Sequence, residues 1–129
     1  MKQFPFRRQQ RLLNGRDYTQ VFDHNQAKIS HSCFLILALR ISSETPARLG
    51  LIAAKKHLKR AVQRNQFKRI TRESFRQHQQ ALTGIELIVM ARSGALNANP
   101  AELRNALDQA WPRLCKRLPP VQTAPSATE

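Results

Sequence analysis

Side-chain catalysis needs groups that can move a proton, attack an electrophile or hold a metal, and this sequence spaces few of them usefully. Its eight Asp and Glu residues are scattered, without a D-x-D or E-x-x-D pair, whereas nucleases that cut through protein-held metals need clustered carboxylates. His24, His31, His57 and His78 show no ligand spacing. Cys33 and Cys115 stand apart, with no C-x-x-C, and read as packing residues of a reducing compartment. What the chain concentrates instead is positive charge. Residues 55–76, KKHLKRAVQRNQFKRITRESFR, hold nine Lys or Arg and one acid, Glu73. Such a density calls for a polyanion, because an ordinary surface mixes both signs.

The spacing of those cations is helical. At about 100° per residue, Arg64, Asn65, Lys68, Arg69, Arg72 and Arg76 fall within an arc of roughly 140°, while Phe67, Ile70, Thr71 and Ser74 fall on roughly the opposite side. One face can dock on a core while the other meets phosphates. Phe75 is the exception, near the edge of the basic arc. Lys55, Lys56, Lys59 and Arg60 do not share this register and belong to a turn, or a first helical turn, leading into the helix.

The whole chain supports the same partner. It has 129 residues, a formal net charge of +14 and 41% hydrophobic residues, which suits one globular domain and not a basic disordered tail. Self-repulsion of that size is relieved when an anionic partner supplies counter-charge. A membrane surface fits poorly: no apolar run approaches the ~20 residues of a spanning helix, and the basic helix lacks the broad Leu/Trp face of an interfacial anchor. The N-terminus, MKQFPFRRQQR, lacks the apolar stretch and cleavage site of a signal peptide, so the expected compartment is the cytoplasm.

The elements that must position the basic helix follow from periodicity and punctuation. Residues 1–13 read as an irregular basic arm. Asn14 caps a short amphipathic helix over residues 15–24, with Tyr18, Val21 and Phe22 at i, i+3, i+4. SCFLILALRI, residues 32–41, is a strand, and residues 25–31 allow a short edge strand around Ala27 to Ile29. SSETP makes a turn, and ARLGLIAA, residues 47–54, reads as an antiparallel partner to the preceding strand, because so short a connection usually joins neighbours. The basic helix spans residues 59–79, and IELIVMA, residues 85–91, is a buried strand. Asn99-Pro100-Ala101-Glu102 opens a last helix with a capping Asn, Pro at the first position and Glu at the third; Leu103, Ala106, Leu107, Ala110, Trp111 and Leu114 line its apolar side, with Pro112 as a kink point. Residues 14–118 thus form one α/β domain, and residues 119–129 are expected to be a disordered tail. Strand, helix, strand through the basic segment implies a crossover unit on one sheet.

Read with its spacing, Lys55-Lys56, Ala61-Val62, Arg64-Asn65 and Phe67-Lys68-Arg69-Ile70-Thr71-Arg72 closely resembles the signature of the protein subunit of bacterial ribonuclease P. The resemblance covers residues 7–117 and includes R-L-G-L-I-A-A-K-K, D-Y-T-Q-V-F and I-V-M-A-R. It implies a two-layer α/β sandwich of a small mixed sheet with flanking helices, in the order α-β-β(-β)-α-β-α, with a left-handed βαβ crossover that the usual handedness rule argues against. It also implies a protein that binds a large catalytic RNA and the 5′ leader of precursor tRNA. Hydrolysis would then belong to the RNA, with magnesium ions held by the RNA subunit and substrate and no catalytic side chain on the protein.

By the same resemblance, Lys55, Lys56, Arg60, Arg64, Asn65, Lys68, Arg69 and Arg72 are the RNA-binding residues, and Tyr18 and Phe22 stack on the leader. Phe22, one helical turn from Tyr18, reads more readily as core, and Tyr18 divides evenly between stacking and packing. Where many members of the family carry a further aromatic, this chain offers Leu37 near Phe34. A structural ribosomal-type RNA-binding protein is the alternative for a small basic α/β domain, and the Arg64-Asn65 signature speaks against it. A DNA-binding regulator would want a helix-turn-helix pair and a dimer surface, and neither is legible.

Overall fold

The computed structural model describes residues 15–42 and 44–119. The expected basic arm, the Asn14 cap and residues 120–129 of the expected tail lie outside the described residues. In chain order the elements are α1 (Gly15–His24), β1 (Ala27–Ser30), β2 (Phe34–Arg40), β3 (Arg48–Ile52), α2 (Ala61–His78), β4 (Ile85–Ala91), a 3-10 turn (Ser93–Leu96) and α3 (Pro100–Arg117). The edge strand allowed by residues 25–31 is β1.

The sheet order is β1-β2-β4-β3. β1 and β2 form an antiparallel hairpin, β2 pairs antiparallel with β4, and β3 pairs parallel with β4. This corrects the expected pairing of residues 47–54 with the strand before them, since β4 lies between the two. The reason is burial: in β4, IELIVMA, every residue except Met90 is buried, and a strand apolar on both faces belongs in the middle of a sheet. β3, shorter and half-open at Arg48, Leu51 and Ile52, takes the edge. β3, α2 and β4 make the expected crossover.

Alternation along the strands splits the interior in two. Phe34, Ile36 and Ala38 of β2, with Ile85, Leu87 and Val89 of β4, meet Phe67, Ile70 and Phe75 of α2 and Leu103, Leu107, Trp111 and Leu114 of α3. The intervening residues Leu37 and Ile88 face the other way and are covered by Val21 of α1. The sheet and the α2/α3 layer form the two-layer sandwich, and α1 sits on the opposite face.

α2 and α3 are locked by a polar node inside their contact. The buried Ser74 hydroxyl donates to Asp108 Oδ1 and accepts from Trp111 Nε1 at 2.8 Å, while Arg104 Nε reaches the same Asp108 oxygen at 3.1 Å. Phe75 stands edge-on to Trp111 with ring centroids 6.3 Å apart, so it extends the buried arc of α2 toward the basic one. At the start of α3 the capping box forms as expected, with Glu102 N donating to Asn99 Oδ1 at 2.8 Å and Asn99 N to Glu102 Oε1 at 2.9 Å. The helix continues past Pro112 to Arg117. Cys33 and Cys115 are free thiols, and burial pushes the Cys115 thiol up against the opposing pull of Arg40.

Two glycines are required where they stand. Gly84 adopts φ 81° as the chain turns from α2 into β4, a conformation strained for other residues. At Gly94 a Cβ would lie 2.3 Å from the Ser32 carbonyl oxygen, so the 3-10 turn can press against the β1–β2 turn only without a side chain.

Truncation on the hidden side of α2 should be costly. Ile70→Ala is expected to lower unfolding free energy by about 2–5 kcal/mol, the usual range for a buried large-to-small change. Ser74→Ala, which strands the Trp111 N–H, should cost about 1–3 kcal/mol; urea denaturation followed by Trp111 fluorescence measures both.

Candidate nucleic-acid interface

With Phe67, Ile70, Thr71, Ser74 and Phe75 buried, the opposite side of α2 is committed to the surface. Asn65 and Arg69 are exposed there, Arg64, Lys68 and Arg72 are half-buried, and Lys55, Lys56 and Arg60 are exposed in the segment leading in. The structure therefore gathers all eight onto α2 and its approach. Among the described residues, Lys55, Lys56, Lys59, Arg60, Arg64, Lys68 and Arg69 form no ion pair with a carboxylate. The first turn of α2 contains no acid, so the positive end of the helix dipole lies beside Lys59, Arg60 and Arg64. That arrangement opposes the charge preference of a helix start and makes a favourable seat for phosphate.

Arg64 has a second task that the spacing could not reveal. Its Nη1 donates to the carbonyls of Leu58 and Lys59, at 2.9 and 2.8 Å, and so holds the approach segment against the helix. The segment is pinned further by hydrogen bonds from His57 N and Leu58 N to the Ala54 carbonyl, and by His57 Nδ1 at 3.0 Å from Ser93 Oγ. Pre-ordering these cations spares the entropy of fixing them on a ligand.

A second surface opens on the other face of the sheet. α1 is clamped by Arg48, whose Nη1 reaches Glu86 Oε2 and whose Nη2 reaches Asp17 Oδ2, both at 2.8 Å. Glu86 is almost fully buried, and a buried carboxylate needs such a partner. The Tyr18 hydroxyl accepts from Leu51 N at 3.3 Å. Beyond the footprint of α1, the half-buried Leu35, Ile52 and Met90 form an apolar floor beside Tyr18. Ile52 ends β3, and the chain runs from it directly to Lys55 and Lys56, so the cleft and the cationic approach share one end of the sheet.

Two expectations change here. Phe22, read as core, is 41% exposed, and Val21 is the buried residue of α1; the helix turns its i+3 position onto the sheet, which leaves i+4 at the rim. Leu37 lies under Val21, so it is closed to stacking. Leu35 and Met90, paired across β2 and β4, form the open floor. Period-2 alternation from Phe34 put Leu35 and Leu37 on one face, but only the seat of α1 separates covered from open.

The donor set offers little to a metal. No group of three or more His, Cys, Asp and Glu able to hold one occurs among the described residues, and Asp17, Glu86 and Asp108 are already engaged with basic or hydroxyl partners. No helix of the described residues is long and apolar enough to cross a membrane.

The ribonuclease P family model matches residues 6–115. The chain belongs to the ribonuclease P protein family. The ribonuclease P protein component of Saccharophagus degradans is 48% identical over 114 residues, 88% of this chain and 84% of that protein. That of a Marinomonas species is 44% identical over 123 residues, 95% and 92% of the two chains. In three dimensions the fold is that of the Staphylococcus aureus RNase P protein, with a TM-score of 0.72 at 23% identity over 85% of this chain and 98% of that one. The Thermotoga maritima RNase P protein gives a TM-score of 0.60 at 25% identity, over 77% and 96%. Membership of the ribonuclease P protein family implies an RNA partner and a part in tRNA processing.

Because Lys55, Lys56, Lys59, Arg60, Arg64, Lys68 and Arg69 form no ion pair with a carboxylate among the described residues, their loss should register in salt dependence. With a structured RNA, Arg69→Ala should reduce the slope of log binding constant against log salt by about 0.7–0.9, one phosphate contact. Arg64→Ala should reduce it by more, since the approach segment is released with it. Filter-binding titrations at several salt concentrations measure both.

Proposed function

We propose that this chain is the protein subunit of a cytoplasmic ribonuclease P ribonucleoprotein. It binds the catalytic RNA and the 5′ leader of precursor tRNA and promotes endonucleolytic removal of that leader. The observation that carries this reading is the continuity of two different surfaces at the end of β3. The approach segment and α2 present Lys55, Lys56, Arg60, Arg64, Asn65, Lys68, Arg69 and Arg72 to phosphates, with guanidinium groups suited to gripping them bidentately. Beside them the cleft of Tyr18, Leu35, Ile52 and Met90, with Phe22 at its rim, is apolar and open, as a single strand with unstacked bases requires.

On this reading the protein supplies positioning and charge, and the RNA supplies the chemistry. Magnesium ions, on this reading, are held by the catalytic RNA and the substrate. The cationic face lowers the electrostatic cost of bringing two polyanions together. The cleft raises affinity for a substrate that still carries its leader over a product that has lost it.

The deciding experiment is reconstitution. Added to the catalytic RNA of the same organism, the protein should restore cleavage of precursor tRNA at magnesium concentrations where the RNA alone is inactive. No stimulation would favour a structural ribosomal-type RNA-binding protein instead. Tyr18→Ala should weaken binding of precursor tRNA by roughly 5- to 150-fold, the worth of one base stack of about 1–3 kcal/mol, and should leave mature tRNA binding nearly unchanged. Tyr18→Phe, which loses only the hydroxyl contact to Leu51, should retain the preference; equal losses for both tRNAs would make Tyr18 a packing residue.

A further inference from the structure

A hollow of about 160 Å³ lies between the first half of α2, the 3-10 turn and the start of α3. It is on the α3 side of α2, away from the cleft beneath α1. Leu58, Phe67, Ile70, Leu96 and Leu103 supply its apolar walls and the carboxamides of Gln63 and Gln66 its polar side chains, so that the lining is about equally polar and apolar. Gln66 also belongs to a shallow groove with Val62, Asn65, Arg69 and Arg72. The mouth of the hollow therefore opens beside the phosphate-binding face.

We propose that this hollow receives one unstacked pyrimidine base, preferably uracil, from RNA whose backbone runs along α2. The proposal rests on the reading of α2 as an RNA-binding face and adds a base-reading site to it. Size favours a single ring: a cavity of about 150 Å³ holds a benzene-sized molecule, and a purine carries two fused rings. The carboxamides set the preference within that class. Gln63 Oε1 accepts from Arg60 N at 3.0 Å, which fixes the amide and leaves Nε2 as a donor. The Gln66 side chain makes no hydrogen bond among the described residues and offers one donor and one acceptor group. Uracil presents two carbonyl acceptors around one N–H, which such a pair can meet.

The surface around the mouth carries the mark of a missing partner. Val62 is 67% exposed and Leu96 is 47% exposed, two of the four large apolar side chains left open among the described residues. Val62 shares the groove with Arg69 and Arg72, and Leu96 lines the hollow itself. Apolar surface set among cations suits a nucleotide, which brings a flat hydrophobic ring and a phosphate together.

The test uses the full chain with a short oligouridylate and an oligoadenylate of equal length, followed by fluorescence anisotropy. The wild-type protein should bind the oligouridylate about tenfold more tightly, one base contact's worth. Ala98→Phe, which fills the hollow, should abolish that preference and leave oligoadenylate affinity unchanged. If Ala98→Phe fails to fold, Gln66→Ala on the exposed side of α2 should remove the preference with thermal melting unaltered. Equal binding of the two oligomers by wild type, or a preference that survives in folded variants, overturns the base site while leaving the phosphate-binding face intact. Failure of both oligomers and of structured RNA to bind would instead overturn the RNA-binding reading of α2 on which the proposal rests.

Discussion

The rotation of α2 about its own axis is set by one buried hydroxyl. Ser74 sits inside the contact with α3, giving its proton to Asp108 and taking that of Trp111 Nε1. A turn of the helix by one residue, about 100°, would strand the buried indole N–H of Trp111 away from water, which is expensive where the dielectric is low. Hydrophobic contacts alone tolerate sliding, since Phe67, Ile70 and Phe75 could be met by other apolar neighbours. The Ser74 node does not, and the outward direction of Arg64, Asn65, Lys68, Arg69 and Arg72 follows from it.

Electrostatics then divides the acids from the cations. Asp17, Glu86 and Asp108 are engaged within the fold, holding α1 to the sheet and α3 to α2. Lys55, Lys56, Lys59, Arg60, Arg64, Lys68 and Arg69 form no ion pair with a carboxylate among the described residues, and those of the approach segment gather at the positive end of a helix with no acid in its first turn. In the proposed assembly, RNA phosphates supply the missing counter-charge, and the surface that strains the free protein becomes a source of affinity. The apolar surface on the opposite face, proposed to meet exposed bases, adjoins the cationic surface where β3 ends.

Local patterning made much of this legible from residues alone. The two-sided wheel of residues 61–78 and the Asn99 to Glu102 capping box each depend on neighbours within a turn or two of helix, and both formed as read. Long-range pairing was the weaker inference. The short connection before Arg48 suggested a hairpin, but the burial of β4 on both faces overrode loop length and placed it between β2 and β3. Phe22 was misread because a ten-residue helix with apolar residues at 18, 21 and 22 can seat either side, and the salt bridge from Arg48 to Asp17 chose Val21. The double carbonyl contact of Arg64 left no trace in spacing, since an arginine in a basic run looks the same whether it faces solvent or clasps its own backbone.

The parallel pairing of β3 with β4 also bears on how the chain acquires its shape. Arg48 aligns with Glu86, so β3 finds its one strand neighbour among the described residues after the whole of α2 has intervened, whereas β1 and β2 close at once through a tight turn. During synthesis the N-terminal hairpin can form while β3 waits at the ribosome without a mate. Contacts so distant along the chain slow the search for the native topology, and a delayed edge strand is vulnerable to association with other chains. Emergence of residues 85–91 is then the event that completes the sheet, and it comes only after the entire cationic segment has been translated.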